Sequence, residues 1–484
     1  MSTIEKLSQY FGGNLKKRHL LMIPILVLFL IYIYLSWTSV KQDLSVEMLS
    51  RNWSLHGNKI TSSDETKEVL RHFKQTWYLP NFLLTAYVSE NRPQKGRLNI
   101  LLNTMDGSYE YLKCCILTRN RTLLRTWAIE VYRHGGRAHF HATKYSCSIP
   151  IDTDVVKVSL TISTCSHDVF NYVTVKKPVQ LRNGLAICGK ALFGKDLKPR
   201  RLVEWIEIQK LLGVDKILLF DLDNPDSIRM VFQHYIKQGV LEVQPFELPG
   251  RIRGASFRDL YKHRHDHDDQ FDNDDNFPLL DCRERLSGYR WVMGIDVDEI
   301  VLPRKNMSLK AFIKDLVAKH PLAAGFYFYM MFHFTSFGKT RKHSSGIEHF
   351  EYSRSTPPQW KAYKYIYIPH RVDSPITHFV DPRRPFTVPR VSPDDGVIHH
   401  IRLCVHREND CFPPGSANDE SLLRFEADLP SKVQKGITTR DEMPHKRNAT
   451  TVTGAQRERE PSVWPKRGQH RSKLPEGLVV HHWQ

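Results

Sequence analysis

The most constraining feature of this 484-residue chain is an alternation of apolar strands and amphipathic helices between residues 185 and 246. Apolar runs at 185–188, 216–220 and 240–246 are separated by two segments with helical spacing, 199–212 and 225–238. Strands joined by single helices are typical of a parallel sheet with right-handed crossovers, so the sequence predicts an α/β fold. Ligands of such sheets bind beyond the carboxyl ends of the strands, where Asp221 lies.

The segment before this alternation, residues 76–180, has the pattern of a small β-rich domain. Short runs at 82–88, 98–102, 155–160 and 172–175 read as strands and are bounded by polar or turn residues. Cys147 and Cys165 flank one of these strands, and a disulfide that uses one of the Cys114–Cys115 pair is expected. The sequence contains no CxxC pair, which argues against a zinc finger or a thioredoxin-like site.

An uncharged stretch at residues 20–37 predicts a transmembrane signal anchor. Basic residues at 16–19 precede it, and the positive-inside rule then leaves residues 1–19 in the cytosol and the rest in the lumen. A cleaved signal peptide would have a shorter apolar region and a small-residue cleavage site, and a buried core helix is the other alternative. Polar residues 38–75 are interpreted as a stem, and a single-pass type II membrane topology is expected.

Residues 412–484 are basic and poor in large apolar side chains, so they are predicted to be a mostly disordered tail. They contribute to a formal net charge of +18. No nucleic-acid-binding module accompanies this charge, so nucleic acid is not an expected partner. The α/β domain is therefore expected to cover residues 181–411.

Residues 289–303 carry the strongest chemical signal, an apolar run that contains Asp296-Val297-Asp298. If this run is one strand, alternation places Asp296 and Asp298 on the same face. Two close carboxylates favour a divalent cation between them, and oxygen ligands suit Mg²⁺ or Mn²⁺. Such an ion bridges a diphosphate and stabilises a leaving nucleotide. The alternatives are a solvated strand end and a phosphatase, although a phosphatase of the Asp-x-Asp-x-Thr type needs Thr where this chain has Ile300.

An ordered set of further motifs resembles glycosyltransferase family 92, which includes the nematode enzyme that galactosylates core fucose. The motifs are Cys188, residues 202–207, 211–217 and 220–221, Asp281-Cys282-Arg283, residues 291–303, Ser336-Phe337-Gly338, residues 364–369, His378, and His399-His400-Ile401-Arg402. The resemblance covers roughly residues 76–405. It implies a GT-A fold, so that the expected architecture is a GT-A-like (Rossmann-like) domain after a small β-rich domain and one transmembrane helix. It also implies a UDP-sugar donor, UDP-galactose, and a divalent metal, Mn²⁺.

The resemblance also implies roles for individual residues. Asp298 and Asp296 are expected metal ligands, and His400 is expected to complete the metal shell, with His378 as the second choice. Asp221, Asp296 and Lys364 are expected to bind the donor nucleotide or its diphosphate. The alternatives are a turn or helix-capping role for Asp221 and an exposed Lys364 without a ligand. The general base is left open among downstream carboxylates, which are Glu348, Glu351, Asp373, Asp394 and Asp395.

The function that the resemblance implies is transfer of a sugar, galactose, from a UDP-sugar to a glycan or glycoprotein acceptor, by a lumenal domain anchored in the Golgi membrane. The alternative is a catalytically silent lumenal protein that binds glycans or acts as a scaffold. The acidic, His-containing stretch at 265–275 is interpreted as a solvated loop, with a second metal site as the alternative.

Overall fold

The computed structural model describes residues 74–75, 82–89, 96–106, 111–136, 138, 140–162, 164–166, 172–193, 197–222, 224–246, 268–340, 346–404 and 415–441. The chain divides into two compact units, residues 1–69 and 70–484, of which the first lies wholly outside these ranges. The predicted transmembrane segment, residues 20–37, therefore lies outside the described residues. Within the described part, no helix combines the length and the apolar character needed to cross a membrane.

Seven strands in the first half of the second unit close into a barrel. The ring order is β2, β3, β6, β5, β4, β7, β8 and back to β2, with a two-residue strand β1 (Lys74–Gln75) beside β2. All neighbours in the ring are antiparallel except β2 and β8, which are parallel and close it. The strands are β2 (Phe82–Val88), β3 (Arg97–Asp106), β4 (Lys113–Thr118), β5 (Leu123–Arg133), β6 (His141–Pro150), β7 (Val155–Thr161) and β8 (Val173–Lys176).

Apolar side chains and one disulfide fill the barrel. Ile100, Leu102 and Leu160 are among its buried residues, and Cys114 bonds to Cys147 in the same core. A second disulfide joins Cys115 to Cys165. The expected disulfide at the Cys114–Cys115 pair is confirmed, and both members of the pair take part.

A second sheet of eight strands follows in the order β11, β10, β9, β12, β16, β14, β19, β13. Its first four strands in this order are parallel, as the alternation predicted for β9, β10 and β11, and β16 then runs antiparallel to β12. The strands are β9 (Leu181–Leu192), β10 (Lys216–Asp221), β11 (Leu241–Pro245), β12 (Tyr289–Gly294), β13 (Glu299–Pro303), β14 (Gly325–Phe334), β16 (Gln359–Tyr367) and β19 (Gly396–Arg402).

Two helices cross between the parallel strands where helical spacing predicted them. Helix α1 (Pro199–Leu211) begins with a proline at its first position, and α2 (Asp226–Lys237) has a strongly amphipathic sequence. Each helix is followed by a glycine in the left-handed region, Gly213 or Gly239, which residues with a Cβ rarely adopt. Trp205, Ile206 and Tyr235 pack these helices into the core beside the sheet.

Helix α3 (Asp268–Arg285) lies between the sheet and the barrel. It packs against β9 on one side and against β3 and β6 on the other, and a disulfide joins its Cys282 to Cys188 of β9. The remaining elements are α4 (Leu309–Lys319), η1 (Thr335–Phe337), α5 (Glu348–Glu351), β15 (Arg354–Ser355), η2 (Pro369–Arg371), β17 (Val372–Ile376), β18 (Phe379–Pro382), β20 (Ala417–Asn418), η3 (Ser421–Phe425) and α6 (Leu429–Asp441).

The predicted fold class, an α/β GT-A-like domain with a small β-rich domain and a transmembrane helix, is wrong. Strands make up 45% of the structure and helices 25%, and the seven-stranded barrel is closed. The strand–helix alternation continues only to β12. After it the chain adds strands with mixed directions, and the closing β2–β8 contact joins segments that no local period connects.

The predicted disordered tail also needs correction for the part that is described. Residues 415–441 form β20, η3 and α6, and α6 packs against α1 and α2. Leu422, Leu429 and Val433 are buried in the main core. These apolar residues are separated by polar and charged positions, so the average composition of residues 412–484 concealed them. Residues 442–484 lie outside the described part of the chain.

Candidate functional site

The Asp296-Val297-Asp298 motif forms a turn and not the end of one continuous strand. Strand β12 ends at Gly294 and β13 begins at Glu299. The Glu299 amide donates to the Asp296 carbonyl at 3.1 Å, and the Asp296 amide donates to Glu299 Oε2 at 2.8 Å. Strand alternation therefore does not set the directions of Asp296 and Asp298, and the two carboxylates have different partners.

Asp296 is held between two buried lysines. Lys364 Nζ on β16 lies 2.7 Å from Asp296 Oδ2, and Lys190 Nζ on β9 lies 3.3 Å from Oδ1. Burial would raise the pKa of Asp296, but the charges of Lys190 and Lys364 hold it well below its usual range. Asp296 is therefore an ionised counter-charge for two lysines.

Asp298 instead faces a histidine. His400 Nε2 lies 3.0 Å from Asp298 Oδ2, and His400 Nδ1 lies 3.6 Å from Glu299 Oε1. The register of β13 and β19 explains both contacts of His400, because it pairs His400 directly with Glu299, the neighbour of Asp298. Candidate ligand atoms of Asp298, Glu299 and His400 all lie within 4.8 Å of one another. The structure thus brings together the predicted residues Asp298 and His400, and it adds Glu299 in the position expected for Asp296.

Glu299 is a buried carboxylate with too little positive charge around it. Its residue is only 1% exposed. Burial and the nearby Asp296 and Asp298 raise the pKa of Glu299 to about 7, against the opposing effect of Lys364 and His400. His400 Nδ1 is also buried and has no hydrogen-bond partner among the described residues. Two carboxylates and an imidazole fit a divalent cation such as Mn²⁺, which accepts both oxygen and nitrogen ligands.

Besides Glu299, Lys190 is a residue of the candidate site to which the sequence analysis assigned no role. It is buried near the end of β9 with a φ of 38°, and it bonds Asp275 of α3 at 2.8 Å as well as Asp296. Burial alone would lower the pKa of Lys190, but the two carboxylates raise it above its usual range. The sequence signal for this residue is a single lysine that follows the apolar run of β9. The interpretation of residues 265–275 as a solvated loop is wrong for residues 268–275. These residues belong to α3, and Asp275 is ion-paired with Lys190.

The other predicted residues lie apart from the Asp298–Glu299–His400 cluster or have partners of their own. Asp221 ends β10, where Asn224 Nδ2 donates to it at 2.7 Å and Arg229 Nε lies 3.0 Å away. His378 Nδ1 contacts the Tyr363 carbonyl at 2.9 Å, and burial together with Lys364 and Lys190 lowers the pKa of His378 to about 4.

Four of the carboxylates considered as general bases are ion-paired. Glu348 lies 3.7 Å from Arg201, Glu351 lies 2.7 Å from Lys339, Asp373 lies 2.6 Å from Arg383, and Asp395 lies 3.9 Å from Lys319. Arg201 also donates to the Ile401 carbonyl, next to His400. Among these carboxylates, Glu348 is therefore the one that is linked, through Arg201, to the residue next to His400.

Comparison with solved structures gives weak matches. Three complexes of β-glucuronidase from Ruminococcus gnavus, with N1-substituted uronic isofagomine, uronic deoxynojirimycin and D-glucaro 1,5-lactone, are 8%, 8% and 9% identical to this chain. The matches cover 49%, 43% and 43% of this chain and 40%, 36% and 36% of those chains, with TM-scores of 0.17, 0.16 and 0.15. The chain thus spans less than half the length of these structures, and scores this low carry no conclusion about fold or function. No curated protein matches the sequence.

One comparison identifies the family. The model of glycosyltransferase family 92 matches residues 183–452, which is more than half of the 484 residues. The matched region begins in β9 and includes Asp296, Asp298, Glu299 and His400, whereas the barrel strands lie before it. The resemblance recognised in the sequence is confirmed for this region: the chain belongs to glycosyltransferase family 92 and is a glycosyltransferase.

Proposed function

We propose that this glycosyltransferase transfers galactose from UDP-galactose to a hydroxyl group of a glycan acceptor and requires a divalent cation, Mn²⁺. The observation that carries the proposal is the cluster of Asp298, Glu299 and His400, with ligand atoms within 4.8 Å of one another. Beside it, Lys190 and Lys364 supply two buried positive charges. A cation site next to fixed lysines suits a substrate that carries a diphosphate.

Each residue of the cluster has a defined part in this proposal. Asp298, Glu299 and His400 would hold the cation, which when bound neutralises the diphosphate and stabilises charge on the leaving nucleotide. Asp296 fixes the two lysine amines by ion pairs at 2.7 Å and 3.3 Å, so their charge is already oriented before substrate arrives. Asp221, at the end of β10, remains the proposed contact for the nucleotide.

The compartment is also a proposal. Three disulfides join pairs of cysteines that both lie in the described ranges: Cys114–Cys147, Cys115–Cys165 and Cys188–Cys282. They support an oxidising compartment, and we propose the lumen of the Golgi. Protease treatment of intact Golgi vesicles from expressing cells should leave the catalytic region undigested, and digestion without detergent would exclude a lumenal location.

The decisive experiment measures sugar transfer from UDP-sugars to a mixture of labelled N-glycans, with Mn²⁺ or with EDTA. We expect UDP-galactose to be the best donor, EDTA to abolish transfer, and Asp298→Ala to reduce it by about 100-fold or more. The matched control is Asp226→Ala, because the side chain of Asp226 is 97% exposed at the start of α2.

Different outcomes remove different parts of the proposal. Equal transfer by Asp298→Ala and Asp226→Ala, or full transfer in EDTA, would remove the metal role. A different preferred UDP-sugar would remove galactose, and absence of transfer together with intact UDP binding would favour a catalytically silent glycan-binding protein.

A further inference from the structure

A group of aromatic side chains lies beside the candidate site on β14 and β16. Trp360 and Tyr363 are stacked, with ring centroids 4.2 Å apart and an interplanar angle of 9°. Tyr329 packs against Trp360 at 5.1 Å. We call Tyr329, Trp360 and Tyr363 the aromatic shelf.

An irregularity in β16 brings the shelf together. In a regular strand, residues 360 and 363 point to opposite faces, because their separation is odd. Here the pairing with β14 shifts between Phe328↔Lys364 and Met330↔Gln359, and Ala362 adopts a φ of 53°. The extra residues let both rings lie on one side of the strand. Backbone of this kind is unfavourable for alanine, and such irregularities are common next to active sites.

The shelf lies at the same edge of the sheet as the Asp296–Glu299 turn. The last residue of β12, Gly294, pairs with Tyr365, so residues of β16 before 365 lie beyond the carboxyl end of β12. Tyr363 directly precedes Lys364, which binds Asp296, and its carbonyl accepts the hydrogen bond from His378. The shelf is therefore continuous with the candidate site.

The position of the aromatic shelf within the sheet favours binding of the acceptor over binding of the nucleotide. The strand order β10, β9, β12, β16, β14 places Asp221 and the shelf on opposite sides of β12. If the nucleotide lies over β10 and the cation lies at the Asp296–Glu299 turn, the acceptor must approach from the side of β16 and β14. This step rests on the proposed function.

The shelf residues are not core residues. Trp360, Tyr363 and Tyr329 are partly exposed and belong to none of the three apolar cores in the described part of the chain. The guanidinium of Arg390 lies 4.0 Å from the Trp360 ring centroid, and it must cover the face opposite Tyr363 because that ring occupies the other. Arg390 is exposed. A cation–π contact at an exposed site is weak, so a ligand can displace it.

We propose that the aromatic shelf is the acceptor subsite, and that a pyranose ring of the acceptor glycan stacks on the face of Trp360 now covered by Arg390. The C–H face of a pyranose is apolar and weakly positive, which complements the negative face of an indole ring. The displaced guanidinium then has free N–H donors for sugar hydroxyls. Binding orients the acceptor hydroxyl towards the donor site and does not involve the metal ligands.

The test uses saturation-transfer NMR with the full chain and three probes: methyl β-galactopyranoside, methyl β-N-acetylglucosaminide and methyl α-fucopyranoside. We expect saturation of the C–H protons of at least one probe by wild type, and binding about tenfold weaker or undetectable with Trp360→Ala. Trp360→Phe should retain part of the binding. Trp127→Ala is the matched control, because Trp127 is a barrel tryptophan that is 57% exposed.

Parallel calorimetry of UDP binding with Mn²⁺ separates this inference from the proposed function. Normal UDP binding by Trp360→Ala, with loss of probe binding, supports the acceptor subsite and excludes general misfolding. Probe binding that is absent in wild type, unchanged in Trp360→Ala, or competed by UDP overturns it. Failure of UDP to bind wild type would instead remove the donor proposal and leave a Trp360-dependent sugar site.

Discussion

Asp296 and Asp298 lie two positions apart, yet the structure gives them different partners, and we expect their amide variants to differ. Asp296→Asn leaves Lys190 and Lys364 with one counter-charge fewer in a buried place, so it should lower the unfolding free energy by about 1–3 kcal/mol. Asp298→Asn should change it by about 0.5 kcal/mol or less without metal, because its contact with His400 at 3.0 Å is one hydrogen bond that an amide oxygen can also accept. Urea unfolding in EDTA measures both.

Manganese provides the complementary measurement for this pair. In wild type and Asp296→Asn, added Mn²⁺ should raise the unfolding free energy, whereas Asp298→Asn should lose that response. Equal loss of stability by both variants in EDTA, or an undiminished manganese response in Asp298→Asn, would contradict the separate roles.

For single residues, the sequence predicts which side chains lie close together better than it predicts the contacts that each one makes. Asp298 and His400 were named together from the motifs, and the β13–β19 register does bring them into contact. Strand alternation predicted that Asp296 is a metal ligand on the same face as Asp298. This prediction of direction is wrong, because β12 ends at Gly294, two residues before Asp296. Glu299 was visible but had no assigned role, because the cross-strand pairing that faces it to His400 is a long-range contact.

At the scale of elements, strands β14 and β19 share a buried histidine pair with a predictable effect of pH. His333 Nε2 lies 2.9 Å from His399 Nδ1, and burial lowers the pKa of His333 to about 4 and that of His399 to about 3. In the folded state both imidazoles stay neutral when the pH falls below their ordinary pKa of 6.5, whereas in the unfolded chain they take up protons. The unfolding free energy should therefore fall as pH falls from 6.5, by up to about 1.4 kcal/mol per pH unit for each histidine.

Comparison of variants isolates this effect from other titrating groups. His333→Gln should reduce the slope of unfolding free energy against pH below 6.5 by about the share of one histidine. His320→Gln is the control, because His320 is exposed at the end of α4. If the two variants show the same slope as wild type in EDTA-containing buffer, the buried pair does not control acid stability.

Helix α6 gives a second prediction at the scale of elements. Leu429 is fully buried against the core, and α6 packs on α1 and α2. Leu429→Ala should lower the unfolding free energy by about 2–5 kcal/mol, whereas Lys435→Ala on the exposed side of α6 should change it by about 0.5 kcal/mol or less. Thermal unfolding of both variants provides the measurement, and equal midpoints would show that α6 is not part of the folded core.

The helices and strands themselves differ in how far sequence predicts them. Helices α1 and α2 were predicted almost to the residue, because each has a proline near its start and a glycine after its end. Helix α6 was missed, because its buried residues Leu429 and Val433 are separated by polar positions within a basic segment. Helix α3 has little amphipathic character, since it is buried on the sheet side and on the barrel side, so no period marked it.

At the scale of the whole molecule, the closure of the barrel and the junction between barrel and sheet are the features that sequence did not indicate. The barrel closes through a parallel contact between β2 and β8, which are about ninety residues apart in the chain. The junction depends on charged residues of α3 that are buried between β6 of the barrel, through Lys144, and β17, through the Val372 carbonyl. Glu284 is 1% exposed and Arg283 is 3% exposed, values that composition does not predict for such residues.

This junction carries an asymmetric ion-pair cluster whose members we expect to contribute unequally to stability. Glu284 accepts from Lys144 of β6 at 2.7 Å and from Arg283 at 2.7 Å. Glu284→Gln leaves two buried cations facing a neutral group, so it should lower the unfolding free energy by about 3–5 kcal/mol. Lys144→Met removes one cation and keeps the Arg283–Glu284 pair and the aliphatic packing, so its cost should be about 0–2 kcal/mol. Urea unfolding at neutral pH compares them, and an equal or larger loss in Lys144→Met would show that the junction does not depend on Glu284 as the shared counter-charge.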